Sequence, residues 1–158
     1  MAIEQGISGP HVQSAFLCEK VLTERDNVPS FIRVVERFTV PIAPPLPPGV
    51  VLPQGTQFPQ PTLQFFLVVA LKAGSLPAGS YIVSVTLNKP DGSSLPKNDF
   101  QVFFNGSDDN GIAVIAPITM PNPEAGLYWF DVYFEQALIT RIPMRVLHQQ
   151  MQVIFPQQ

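Results

Sequence analysis

Pro123-Glu124-Ala125-Gly126-Leu127-Tyr128-Trp129-Phe130-Asp131-Val132 decides the fold class. An acidic residue is followed by glycine and then, two residues on, by a tyrosine that opens a strand of alternating apolar positions. That is the pattern of a tyrosine corner, in which the phenol caps a backbone group at the corner of a β-sandwich. Tyr128 therefore reads as structural. Downstream, Tyr128, Phe130, Val132 and Phe134 share a phase with Leu138, Ile142, Met144 and Val146, so two antiparallel strands should set even positions against even positions. The connection is then Glu135-Gln136-Ala137, which lacks the glycine that three-residue loops favour. The same register predicts Trp129 opposite Pro143, Asp131 opposite Arg141, and Tyr133 opposite Ile139 on the outward face.

Upstream the period-2 pattern recurs. Tyr81, Val83, Val85 and Leu87 alternate with Ser80, Ser84, Thr86 and Asn88, so one face of that strand is expected to be buried and the other wet. It ends in Lys89-Pro90-Asp91-Gly92, where proline fixes φ and glycine accepts a positive one. Thr62 to Lys72 is different: Leu63, Phe65, Leu67, Val69 and Leu71 make one face, and Phe66, Val68 and Ala70 the other. It reads as a central strand covered on both sides. Further strands are expected over His11 to Leu22, Phe31 to Val40, Asp99 to Asn105, Ile112 to Ile118, Leu127 to Phe134, Leu138 to Leu147 and Met151 to Phe155. Seven or eight strands make a sandwich. Pro41 to Pro61 holds eight of the 18 prolines and no alternation, as expected of a stiff crossover joining two sheets within a single domain, 1–158.

Composition agrees. Charged residues are 13% of the 158 and apolar residues 46%, which excludes a disordered or highly charged tail. So many prolines exclude a helical bundle or solenoid. With 9 basic against 12 acidic residues the chain has none of the electrostatic footprint that nucleic acid demands. The longest apolar run, Phe65 to Leu71, is far short of the roughly 18 residues of a membrane helix, and no membrane partner is expected. Cys18 is the single thiol, so no intrachain disulfide can form; with no leader-like N-terminus, the expected compartment is the cytoplasm.

Phe16-Leu17-Cys18-Glu19, with Glu24-Arg25-Asp26-Asn27-Val28-Pro29-Ser30-Phe31-Ile32-Arg33-Val34-Val35-Glu36-Arg37-Phe38, resembles the opening of an uncharacterised bacterial family of unknown function. Gly126 to Val146 is similar to its closing Gly-x-Tyr hairpin. Arg33 stands where the resemblance leads one to expect glycine. The resemblance implies a cytoplasmic, immunoglobulin-like antiparallel β-sandwich with no catalytic residues to carry over.

The chemistry-bearing residues are sparse. Cys18 sits mid-strand beside Phe16 and Leu17 and reads as a buried, inert thiol. His11 and His148 have no metal-ligand companions at useful spacing, and no cofactor is expected. Glu19 and Glu36 are expected to pair with Arg33, Arg37 or Lys20 on a sheet surface. No phosphate loop, nucleophile elbow or His-containing triad is present, so the chain does not read as an enzyme. Two functional readings follow. The first is a noncatalytic interaction or self-assembly module whose partner is another protein or a second copy of the chain. Its interface is expected at Trp129, Tyr133, Ile139, Arg141, Pro143 and Arg145, a mixture of aromatics and arginines typical of interface cores. The alternative is a calcium- or small-ligand-binding sandwich in which Asp91, Asp99, Asp108 and Asp109 cluster at one end.

Overall fold

The computed structural model describes residues 9–151 apart from 53 and 59. Those residues form nine strands and no helix. They are β1 (His11–Thr23), β2 (Pro29–Val35), β3 (Arg37–Ile42), β4 (Thr62–Lys72), β5 (Gly79–Asn88), β6 (Asn98–Phe104), β7 (Gly111–Pro121), β8 (Gly126–Phe134) and β9 (Ala137–Gln150). A four-stranded sheet in the order β2-β1-β4-β7 packs on a five-stranded sheet in the order β3-β9-β8-β5-β6. The fold is an all-β sandwich. Every pairing is antiparallel except β3 with β9, which is parallel.

Alternation builds the core. Leu17, Phe65, Leu67, Val69, Leu71, Val114 and Ala116 from the four-stranded sheet meet Phe38, Val83, Val85, Phe130, Ile142 and Met144 from the other. As expected, β4 is central, flanked by β1 and β7; its second face is less closed than expected, with Val68 buried but Phe66 and Ala70 only half-buried. Proline can occupy β7, at Pro117 and Pro121, because that strand is an edge and loses no ladder hydrogen bond on its open side.

One expected strand is two. Phe31 to Val40 breaks at Glu36: β2 lies at the edge of the four-stranded sheet and β3 at the edge of the five-stranded one. The chain thus changes sheets within one residue, and the Glu36 carbonyl stays satisfied by accepting the Arg145 N–H at 2.9 Å. The proline-rich segment begins later than expected, since Pro41 and Ile42 close β3, and it does link the two sheets, leading from β3 to β4. Met151 lies outside any strand, its N–H bonded to the Ile42 carbonyl, and 152–155 lie outside the described residues.

Arg33 has φ +53°, a left-handed conformation. The ladder pairs Cys18 with Val34 and Lys20 with Ile32, leaving the distorted residue across from Glu19, whose carboxylate takes the guanidinium at 3.2 Å. The glycine expected there on resemblance is therefore intelligible: a non-glycine residue in this region costs on the order of 1–2 kcal/mol. The exposed ion pair returns at most about 1 kcal/mol. Arg33→Gly should leave the unfolding free energy within about 1 kcal/mol of wild type, whereas Arg33→Val, whose branched β-carbon resists positive φ, should lose about 1–3 kcal/mol. Urea unfolding midpoints measure both; equal stability of the two variants would show that the backbone at Arg33 carries no strain.

Candidate functional site

The register of β8 and β9 sets Trp129 opposite Pro143 and Asp131 opposite Arg141, as predicted. Each pair faces away from the core, because Tyr128, Phe130, Ile142 and Met144 between them are buried. A bulge between Val132 and Tyr133 then shifts the ladder, so Tyr133 lies opposite Leu138 and Phe134 opposite Ala137. The turn is the two residues Glu135-Gln136, with Glu135 at φ +53°, instead of a three-residue loop. Two expectations are thereby corrected. Ile139 leaves the outer face and packs against the core, and Leu138, expected inside, is 50% exposed.

Around this register the outer face of the five-stranded sheet carries a polar network. Asp131 accepts hydrogen bonds from Arg141 Nε at 2.7 Å and from Asn88 Nδ2 at 2.9 Å. The Asn88 side-chain oxygen in turn accepts from Ser94. Nearby, Ser84 Oγ donates to Asp99 at 2.6 Å. Cations cover the aromatic rings: the Arg141 guanidinium lies 4.9 Å from the Trp129 ring centre and the Lys97 ammonium 4.1 Å from that of Tyr133. Each such contact contributes about 0.5–1 kcal/mol at an exposed site. The face of β5 expected to be wet is exposed at Ser80 and half-buried at Asn88, but it is closed at the two polar residues between them. Ser84 is 4% and Thr86 9% exposed, hemmed in by β8 on one side and β6 on the other. Thr86 Oγ1, directly across from the 9%-exposed Asp131, is buried with no hydrogen-bond partner among the described residues. Leaving a hydroxyl in that state is unfavourable by about 1–3 kcal/mol.

Of the expected interface residues, Trp129 and Tyr133 are half-buried and Arg141, Pro143 and Arg145 exposed, all on this face, with Ile139 absent from it. The acidic cluster does not form. Asp91 lies in the connection before β6 and Asp108 and Asp109 in the connection after it, so the intervening strand holds them at opposite ends of the sandwich. Asp91 is committed locally, accepting from the Ser93 hydroxyl and N–H, which holds its carboxyl below the usual value. Asp99 takes Ser84. Among the described residues no three His, Cys, Asp or Glu side chains come together as a metal site.

Cys18 is fully buried on the face of β1 turned away from the core, opposite Phe66, and burial pushes its thiol above the ordinary 9.0. The inert reading of that thiol fits its surroundings. Glu19 pairs with Arg33, one of the partners foreseen for it.

Two features are legible in the sequence only in part, the first on β4 alone. The outer face of the four-stranded sheet is apolar, with Phe16, Phe66, Val68 and Ile115 around Cys18; its signal was apolar residues at both phases of β4. Two adjoining clefts, of about 280 and 220 Å³, open between β7 and the β5–β6 connection, sharing Leu87, Leu95 and Met120. Leu95 and Pro96 in an otherwise polar loop were the trace of them.

Comparison with known proteins adds a family. No curated protein matches the chain. Among solved structures, an immunoglobulin-like protein from Pseudomonas aeruginosa is 14% identical, with 89% of this chain and 99% of that chain covered and a TM-score of 0.38. A family model matches residues 54–147, which takes in the Gly126 to Val146 hairpin and leaves Phe16 to Phe38 outside. By that match over more than half its length, the chain belongs to the family described as Family of unknown function (DUF6941).

Proposed function

We propose that the chain is a noncatalytic interaction module that recognises another protein, or a second copy of itself, through the outer face of the five-stranded sheet. The observation that carries this reading is the composition of that face, where half-buried Trp129 and Tyr133 stand beside exposed Arg141, Pro143 and Arg145. Aromatics and arginine around a desolvated centre are the composition of energetic centres in interfaces.

Self-association is the form of this reading that can be tested with the chain alone. Trp129 is the single tryptophan, so its fluorescence reports on this face only. Light scattering should show a species heavier than the 17.4 kDa chain, with acrylamide quenching of Trp129 falling as concentration rises. Trp129→Ala should weaken the association by about tenfold or more, the loss expected of a central aromatic. A monodisperse monomer up to about 1 mM, where even the weakest specific dimers form, would remove self-association.

A further inference from the structure

Three guanidinium groups gather on this face. The parallel register of β3 and β9 sets Arg37 directly beside Arg145, and Arg141 stands four residues back along β9 on the same side, about 13 Å away. Like charges placed directly opposite each other repel and are destabilising. Compensation is missing here: among the described residues neither the Arg37 nor the Arg145 side chain has an ion pair or hydrogen bond, and both residues are exposed. Glu36, the acid next to Arg37 in the chain, pairs with neither. Arg141 engages Asp131 through Nε alone and its side chain is 48% exposed, which leaves the outer edge of its guanidinium available. The chain as a whole carries a net charge of −3, so the concentration of arginine is local. Pro143 and, opposite it, Trp129 lie between Arg141 and Arg145 as an apolar step.

We propose that this strip binds an acidic protein segment in extended conformation. Carboxylates about four residues apart engage Arg141 at one end and the Arg37–Arg145 pair at the other, and an apolar side chain between them rests on Pro143 and Trp129. Extended chains advance about 3.3 Å per residue, so a partner of that kind keeps step with β9. Guanidinium forks grip carboxylates bidentately, and bringing anions between Arg37 and Arg145 turns their mutual repulsion into attraction. A protein segment fits better than a polyphosphate, because the step between the arginines at Pro143 is apolar and offers a phosphate chain nothing to hold, whereas a peptide can place an apolar side chain there. The inference rests on the outer face being the interaction face and names the chemistry of its partner.

Fluorescein-labelled octaglutamate tests it on the full chain. The peptide should raise its anisotropy at low ionic strength, alter Trp129 emission, and lose affinity steeply as salt approaches about 0.15 M. The double variant Arg37→Ala/Arg145→Ala should bind at least about tenfold more weakly, with a urea midpoint no lower than that of the wild type showing that it is folded. Failure of octaglutamate to bind, or equal binding by the double variant, overturns the proposal. So does an octauridylate that binds as tightly through the same arginines, since it makes the strip a general polyanion site. Self-association read by light scattering needs no peptide, so it stands or falls separately from each of these results.

Discussion

Phe65→Ala should lower the unfolding free energy by about 3–5 kcal/mol, the largest stability loss expected from any truncation considered for this chain. Phe65 lies on β4, in the middle of the four-stranded sheet, and is 2% exposed. Its ring meets Phe38 of β3 at 5.0 Å and Phe130 of β8 edge-on at 6.0 Å, so one side chain joins three strands from both sheets. Aromatic pairs of this geometry add about 0.5–1.5 kcal/mol to the area they bury. Collapse cannot fill the gap left by alanine, because Phe38, Phe130 and Leu67 are all held in ladders that fix their positions. Typical domains have only 5–15 kcal/mol in total, so the loss is a large share of it. Phe65→Leu, which keeps most of the volume, should lose about 1 kcal/mol and serves if the alanine variant does not fold. Phe103→Ala is the control: that ring is 61% exposed at the edge strand β6, and its removal should stay within about 0.5 kcal/mol. Urea unfolding followed by far-UV circular dichroism gives all three values. A Phe65→Ala loss below about 1 kcal/mol would mean that the sheets are not joined through this ring.

What the sequence made legible follows from which forces act along the chain and which act across it. Phase is local: the alternation in β8 and β9 was enough to place Asp131 against Arg141 and Trp129 against Pro143, because a shift of one residue would turn Phe130 and Met144 to solvent. The tyrosine corner was legible for a similar reason, and the Tyr128 hydroxyl does donate to the Glu124 carbonyl at 3.0 Å. Ile139 was misplaced because the bulge that displaces it depends on Glu135 entering the left-handed region, and no glycine or asparagine marks that position. Glu36 gives no sign of a break because apolar positions recur before and after the Glu36-Arg37 pair; the chain leaves its first sheet there to pair with β9, a partner that lies far along the sequence. The burial of Ser84 and Thr86 is not legible in the sequence, because alternation tells which residues face away from the core and nothing about what flanks them. The separation of Asp91 from Asp108 and Asp109, by contrast, was available in principle, since segments before and after one antiparallel strand must lie at opposite ends.

Gly126→Ala should destabilise the fold by about 2–4 kcal/mol, and for two separable reasons. Gly126 has φ +144°, outside the range that side chains ordinarily accept. Strain of that kind is on the order of 1–3 kcal/mol. In addition, a Cβ at this position would lie 2.6 Å from Pro90 Cβ and 2.7 Å from Pro90 Cγ, far inside van der Waals contact. The Gly-x-Tyr motif thus needs its glycine because the Lys89-Pro90-Asp91-Gly92 turn packs directly on it. Replacing glycine with alanine also stiffens the unfolded chain, which offsets about 0.4–1 kcal/mol of the loss. A double-mutant cycle separates the contributions: in a Pro90→Gly background the clash is gone, and Gly126→Ala should lose only the backbone part, giving a coupling of about 1 kcal/mol or more. Strictly additive losses would show that the two segments do not press on each other. The corner offers a second readout. Burial raises the Tyr128 phenol above its ordinary 10.0, the nearby Glu124 and Asp91 charges acting in the same direction. A raised acid stabilises the fold fully below that ordinary value, and the contribution is lost as pH rises from there through the higher folded-state value. Loosening the corner with Gly126→Ala should therefore bring one tyrosine titration back toward 10.0 and flatten the alkaline fall in stability. An unchanged tyrosinate titration in a folded Gly126→Ala variant would place the strain in the backbone alone and leave Tyr128 seated, because only displacement of the phenol from its buried site can restore its ordinary acidity.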